Sequence, residues 1–167
     1  MYQAGDQVVY GMHGVCRVVQ EEKRVIDRKT VTYLVLEAVG RNGSRFYVPT
    51  HNASAMSKIR PILTEQELDV MLCCEETLAD GWIPEEGKRK LAYREAISSG
   101  DRVLVAKILR ALYRHKAERI AAGKKFHMSD DNFLRDAEKL LVSEAAIVRD
   151  CDVDAAKQYI RSKLKEE

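Results

Sequence analysis

The side chains with the most chemistry to offer lie between residues 82 and 94. Trp82 is the only tryptophan of the chain. It sits in Asp80-Gly81-Trp82-Ile83-Pro84, where Gly and Pro mark a turn or loop. Lys88, Arg89 and Lys90 follow on what reads as the first turns of a helix, with Arg94 further along it. An aromatic beside a basic helical surface suits strained or melted DNA. The cations hold phosphates without reading sequence, and the aromatic covers an exposed base face. Stacking an aromatic on a base contributes about 1–3 kcal/mol. Intact duplex offers no such face, so an aromatic of this kind suits a strained or melted step better. The same tryptophan also fits as a plug between two helices. Trp82 falls outside the apolar stripes read on the helices around it, which predicts that the helical part does not need it.

Other chemistries find no residues. Nothing matches a phosphate-binding loop, a dinucleotide fingerprint or a nucleophile elbow. His13, His51, His115 and His127 are scattered and fit no ligand spacing. Cys16, Cys73, Cys74 and Cys151 form no CxxC pair and no disulfide framework. Cys73 and Cys74, in the apolar run Val70-Met71-Leu72-Cys73-Cys74, read as buried free thiols. No catalytic residue, metal, cofactor or small-molecule substrate is expected, and the chain does not read as an enzyme. No run of eighteen apolar residues suggests a membrane span. The N-terminus has neither the basic nor the apolar region of a signal peptide. Both point to a cytoplasmic protein.

The chain has 167 residues, 46% apolar and 32% charged, with a net charge of only +2. The charge is unevenly spread. Residues 61–81 hold six acids and no Lys or Arg, whereas residues 82–125 hold twelve Lys/Arg against five acids. A near-neutral chain with one basic block can present a local nucleic-acid surface. A solvated helix face gives the same pattern.

Two kinds of periodicity divide the sequence. Residues 1–60 read as β: Gln7–Tyr10, Val15–Val19, the long Thr30–Val39, and Arg45–Pro49. A turn at Arg41-Asn42-Gly43-Ser44 joins the last two, and a short fifth strand is read near Ile59–Ile62. Closely spaced short strands suggest a small barrel, with Tyr33 and Phe46 as core residues and docking through a sheet face or edge. Arg45 is in phase with Tyr47 along its strand. Residues 61–167 read as an all-α bundle of about five helices. Thr64 and Glu67 form a capping box, and Pro84 suits the first position of a second helix. Ser99-Gly100-Asp101 ends that helix and caps the next. The third helix has an apolar stripe that includes Leu104 and Ile120, opposite Arg102, Lys107, Arg110, Arg114 and Arg119. Ser129 caps a fourth helix and Asp152 or Asp154 starts a fifth. The fold class is therefore α+β, in two domains, 1–60 and 61–167.

Gly5-Asp6-Gln7-Val8-Val9-Tyr10, His13-Gly14-Val15-Cys16-Arg17-Val18, Tyr33-Leu34-Val35-Leu36 and Val48-Pro49 resemble the first domain of CarD/CdnL-type bacterial transcription regulators. Trp82 ahead of a basic helix, Ser99-Gly100-Asp101, Val105–Arg114 and Ala137–Glu144 resemble the second. The resemblance spans nearly the whole chain. It implies a Tudor-like barrel, shared with transcription-repair coupling factors, that binds the RNA polymerase β subunit. It implies a helical domain that contacts promoter DNA in the minor groove at the upstream bubble edge and prolongs the open complex. A nucleoid location, through the polymerase, follows from it. Trp82 matches the wedge, and Lys88 and Arg89 fall nearest the basic residues after it. Arg24, placed before the long strand, falls on a polymerase-contacting position, with Arg45, Tyr47 and Pro49 near a second. Two features depart from the pattern. Tyr47 stands where relatives often have a basic residue, and Pro84-Glu85-Glu86-Gly87 lengthens the segment after Trp82 and adds two acids. The alternative is a protein–protein adaptor without DNA contact, in which Trp82 anchors a partner or plugs the core.

Overall fold

Asp27 and Arg28, with φ of 49° and 64°, turn the chain between β2 (Val15–Ile26) and β3 (Lys29–Ala38). Positive φ at both central residues is the signature of a type I′ hairpin, whose twist suits the flanking strands. The computed structural model describes residues 1–40 and 43–165. The turn expected at residues 41–44 lies partly outside the described residues. The chain divides into two units, Met1–Ile62 and Leu63–Glu167.

The first unit is a five-stranded antiparallel sheet in the order β4-β3-β2-β1-β5, completed by β1 (Gln7–Tyr10), β4 (Arg45–Pro49) and β5 (Ile59–Pro61). A five-stranded antiparallel sheet ahead of a helical unit agrees with the expected Tudor-like α+β arrangement; among the described residues β4 and β5 each pair on one side only. A short helix, α1 (Ala53–Met56), follows β4, its first turn capped by the Asn52 side chain. Cys16, Val18, Leu34, Leu36 and Val48 form the core, with Phe46 packed against it. A register shift between Val18 and Gln20 interrupts the alternation of β2.

Strand β2 reaches seven residues beyond the expected Val19, so Arg24 lies inside it, opposite Val31, and not ahead of the long strand. Its second half is rich in charged residues, which disguise a strand when one end of a hairpin faces water on both sides. Tyr33 also departs from expectation. It lies one residue from Leu34 along β3, hence on the opposite face, outside the core cluster.

The second unit consists of α2 (Glu65–Cys73), α3 (Glu75–Leu78), α4 (Glu86–Ser99), α5 (Arg102–Ala121), α6 (Met128–Val148) and α7 (Val153–Leu164). The Thr64–Glu67 capping box forms in both directions. Gly100 closes α4 at φ 64°, a left-handed conformation that glycine takes without strain, and Asp101 caps α5 through Leu104 N. Asp152 caps α7. Leu68, Leu72, Tyr93, Leu109, Leu112, Leu141 and Ile160 are among the buried side chains of one shared core, each large aliphatic contributing roughly 1.5–3 kcal/mol by leaving water.

Several local expectations fail here. Helix α4 starts at Glu86 behind Glu85, so Pro84 precedes the helix and does not occupy its first position. Helix α6 is preceded by His127, with Ser129 already inside it. Leu104 and Ile120, assigned to the apolar stripe of α5, are exposed, Ile120 at 63%. Ile120 belongs to the exposed last turn of this twenty-residue helix, and Leu104 to its first turn. Cys73 is exposed and Cys74 half-buried, because the inward positions of α2 are taken by Leu68, Met71 and Leu72 and the helix ends at Cys73.

Candidate functional site

The loop holding Trp82 is tied down at almost every residue. The Trp82 backbone N–H donates to the Asp80 carboxylate at 3.0 Å. A Cβ on Gly81 would meet Lys107 of α5 at 3.0 Å, on both side chain and backbone carbonyl, so the loop passes that helix at a distance only glycine permits. The Gly81 carbonyl accepts from the Tyr93 hydroxyl of α4 at 2.7 Å. The carbonyls of Ile83 and Pro84 both accept from one nitrogen of Arg89, at 2.9 and 3.1 Å.

Arg89 is the centre of this arrangement. Its Nε and second terminal nitrogen bind both carboxylate oxygens of Asp130, at 2.9 and 3.0 Å. The two side chains are 4% and 0% exposed. A guanidinium fork against a carboxylate, with its remaining donors on backbone carbonyls, is the geometry that makes a buried ion pair tolerable. Burial corrects the expectation for Arg89. It faces inward from α4 and holds the loop, so it offers no charge to a phosphate.

Trp82 is half-buried and packs against the helical core. Its indole stacks on the His115 imidazole of α5, ring centroids 3.6 Å apart, and the Arg89 guanidinium carbon stands 4.4 Å from the ring centroid. The expectation that the bundle has no use for this side chain therefore fails. Partial burial holds the His115 pKa below its ordinary value. Arg89 and Arg119 act in the same direction, opposed by Glu118 and Asp130. Burial likewise pushes the Tyr93 phenol up, so it remains a hydrogen-bond donor.

Lys88, Lys90 and Arg94 lie on the outer side of α4. The Lys88 side chain is 75% exposed and pairs with Glu85 at 2.8 Å, while Lys90 pairs with Glu86 at 2.5 Å. Arg94 is exposed. The two acids of the lengthened segment thus sit on two of the cations of the proposed DNA face. The basic row expected on α5 is partly spent on structure. Arg102 forks onto Glu144, Arg110 donates to the Leu78 carbonyl, and Arg119 donates to the Lys125 carbonyl.

In the first unit, strand register places the other candidate residues together. Glu22, Tyr33 and Pro49 form one transverse row, with Arg24 opposite Val31 two residues further along β2. Gln20, Val35 and Tyr47 form the next, and Arg17, Glu37 and Arg45 a third. All lie on the face opposite the core. The Arg24 guanidinium stands over the Tyr47 ring at 4.2 Å and donates to Glu22 at 2.6 Å. Arg17 and Arg45 bracket Glu37, at 3.5 and 3.2 Å. A second aromatic cluster, which the strand pattern did not reveal, joins Tyr10, His13 and Phe46, with His13 and Phe46 centroids 4.4 Å apart. Burial, reinforced by Lys58, lowers the His13 pKa. Among the described residues no group of three His, Cys, Asp or Glu could hold a metal ion, and no helix is long and apolar enough to cross a membrane.

A small antiparallel sheet with a mixed aromatic and cationic outer face, followed by a helical unit that presents a stapled tryptophan loop, describes a two-part binding protein. Comparison with known families agrees. Residues 2–61 match the CarD-like/TRCF RID domain, and residues 84–161 match the CarD C-terminal domain. The chain belongs to the CarD-like family of transcription factors, whose RID domain implies interaction with RNA polymerase. Neither matched domain is enzymatic. A relative from Bacillus subtilis (strain 168), named "Putative transcription factor YdeB", is 26% identical over 151 residues, which cover 89% of this chain and 93% of the relative.

Proposed function

We propose that this protein binds the RNA polymerase β subunit through the outer face of β2, β3 and β4, and prolongs the open promoter complex through its helical unit. The Trp82 loop contacts the minor groove at the upstream bubble edge, while Lys88, Lys90 and Arg94 hold phosphates without reading sequence. The reading is of a cytoplasmic protein with no catalytic step. The single observation that carries it is the Trp82 loop itself. Three helices staple an aromatic beside exposed cations, and a pre-ordered wedge spends little free energy on ordering when it meets DNA.

Docking through the sheet face raises the local concentration of a weak DNA binder. Stacking then discriminates the unstacked base of the open state from intact duplex, and that difference in affinity shifts the equilibrium. The test is open-complex lifetime after challenge with a competitor, measured with and without the protein. A longer lifetime that requires polymerase binding supports the reading. Equal lifetimes at saturating protein would remove it.

A second reading is favoured by the half-burial of Trp82 among His115 and Arg89. In it the tryptophan is packing only, and the helical unit contacts a protein. Phosphate contacts make affinity fall steeply with salt, so a flat salt dependence would favour this adaptor.

A further inference from the structure

A second basic feature of the helical unit lies away from Trp82. Tyr113 and His115 are two residues apart on α5 and point about 200° apart around its axis. His115 faces Trp82. Tyr113 faces an open cleft of about 730 Å³ between α5, α6 and α7, within the ~300–1,000 Å³ typical of small-molecule sites.

The lining is cationic. Arg114 and Lys116 come from α5, Arg161 from α7 and Lys165 from just beyond it, against the single acid Glu118. Glu118 pairs with Arg114 at 3.3 Å and faces His115 at 3.9 Å. Lys116 pairs with Asp131 at 2.8 Å. Arg161 and Lys165 both stand over the Tyr113 ring, at 5.9 and 5.6 Å from its centroid. Two cations on one ring repel each other, and an anion between them would relieve this. Arg161 holds Glu138 through Nε and its second terminal nitrogen, each 3.0 Å from the same carboxylate oxygen, with a further contact of 3.5 Å to the other oxygen, and its side chain is 41% exposed.

At the base of the cleft lies an orphaned donor. Tyr113 is 8% exposed, and its hydroxyl meets no hydrogen-bond partner. Arg161 and Glu138 are near enough to influence its ionisation, yet neither stands at hydrogen-bonding geometry. Burial pushes the phenol pKa up, so the group stays protonated and able to donate. A buried polar group without a partner destabilises the fold unless something else satisfies it.

We infer that this cleft binds a small phosphate-bearing anion between Arg161 and Lys165, with the Tyr113 hydroxyl beneath it and Arg114 on its wall. Planar guanidinium forks match phosphate oxygens in pairs, which favours a phosphate over a monodentate anion. The site stands apart from the Trp82 surface and does not depend on its role.

The probe is sodium pyrophosphate, titrated into the full-length protein at constant ionic strength. Calorimetry and NMR of the Tyr113 ring and the Arg161 Nε–H follow the binding. Saturable binding below about 1 mM is expected, weakened about tenfold by Lys165→Gln, which removes an exposed charge-assisted donor. Tyr113→Phe should weaken it about threefold or more while leaving the melting temperature equal or higher, because only an unpaired hydroxyl is lost. Lys88→Gln with Lys90→Gln should leave pyrophosphate binding unchanged.

Absence of saturation at about 10 mM, far above the concentration at which a paired-donor phosphate site fills, would overturn the inference. So would pyrophosphate binding lost in the Lys88/Lys90 variant and untouched by Tyr113→Phe. If Tyr113→Phe instead weakened duplex DNA binding by the same factor as pyrophosphate, the cleft would be part of a DNA interface and the small-molecule assignment would fail.

Discussion

The His115 imidazole lies against the Trp82 indole with centroids 3.6 Å apart and planes 19° apart. His115 sits midway along α5, and Trp82 sits in the loop ahead of α4. The contact ties the loop to the longest helix packed on α6. With Arg89 on the same indole, Trp82 belongs both to the surface and to the packing. Any change at Trp82 therefore has two consequences to separate.

Trp82→Ala should lower the melting temperature by on the order of 10 °C, corresponding to about 2 kcal/mol for a half-buried aromatic in a unit of this size. Trp82→Phe should recover most of that. At a temperature where all variants are folded, stacking predicts a further loss of about one to two decades in open-complex lifetime for Trp82→Ala, from roughly 1–3 kcal/mol, with partial recovery in Trp82→Phe. A lifetime that merely tracks the folded fraction would leave Trp82 as packing alone.

His115 makes the same contact pH-sensitive. Its pKa is lowered in the folded protein, chiefly by burial, whereas in the unfolded chain it titrates near the ordinary value of about 6.5. As pH falls through that value, the unfolded state takes up the proton first. Stability is therefore fully present above about pH 7.5 and declines as pH falls through 6.5 toward the folded-state pKa. His13 contributes in the same direction from the other unit, chiefly through burial. Trp82 fluorescence isolates His115, since no other tryptophan is present and a protonated imidazole quenches a stacked indole. Emission should fall with a midpoint below about 6.5, and His115→Gln should abolish the transition. An unchanged titration in that variant would refute the assignment.

How far the sequence foretold this site varies residue by residue. The Thr64–Glu67 box, the Gly100 closure and the Asp101 cap were readable because capping chemistry is local. The Arg45/Tyr47 phase put those two side chains on one face for the same reason, whereas the strand pattern puts Tyr33 in the core, because period-two alternation does not by itself say which face is buried. Arg89 was not readable as a buried residue. It stands between Lys88 and Lys90, and only its partner forty-one positions away on α6, Asp130, shows which of the three faces inward. His115 was equally hidden, since stacking on Trp82 depends on how two helices pack. One signal was available: a histidine one turn from Leu112 and Ala111 on an apolar stripe more often packs than ligates. The long β2 escaped because charged residues dominate its second half, and its turn uses Asp27-Arg28 where Asn-Gly would have announced itself.

The Arg89–Asp130 pair should be costly to break and valueless to conserve by charge alone. Asp130→Asn leaves a buried guanidinium without its counter-charge, at about 3–5 kcal/mol. Arg89→Lys keeps the charge but loses the fork and the bonds to the Ile83 and Pro84 carbonyls, and should lie close to it in cost. Chemical denaturation of both variants checks this. A loss under about 1 kcal/mol, typical of exposed pairs, would show that the pair is open to water.

Polymerase binding should depend on one face of one hairpin. Arg24 shares the outer face with Tyr33, Tyr47 and Pro49, whereas Lys23 is adjacent in sequence and points to the opposite face. Arg24→Glu should weaken capture of the β subunit by about tenfold or more through charge reversal at a docking surface, and Lys23→Glu should have little effect. Tyr47→Ala should weaken it too, because Tyr47 supports the Arg24 guanidinium at 4.2 Å. Equal losses for Arg24→Glu and Lys23→Glu would mean that net charge matters and the face does not.

The DNA face is tested by the salt dependence of binding. Each phosphate contact adds about 0.9 to the slope of log affinity against log salt. Lys88→Gln, Lys90→Gln and Arg94→Gln should each flatten that slope by up to one contact without altering base preference. Lys88 and Lys90 are already paired with Glu85 and Glu86, so their contributions should be smaller than that of Arg94 until the acids are removed. Glu85→Gln with Glu86→Gln should then tighten DNA binding by several-fold and steepen its salt dependence. The pairs are exposed and worth only about 0–1 kcal/mol each to the fold, so the melting temperature should barely move. Arg89→Gln supplies the contrast: it should destabilise the bundle while leaving the slope of the folded protein unchanged, because its charge is spent on Asp130. A slope reduced by Arg89→Gln and untouched by Lys88→Gln, Lys90→Gln and Arg94→Gln would invert this assignment and place the phosphates on the wrong side of α4.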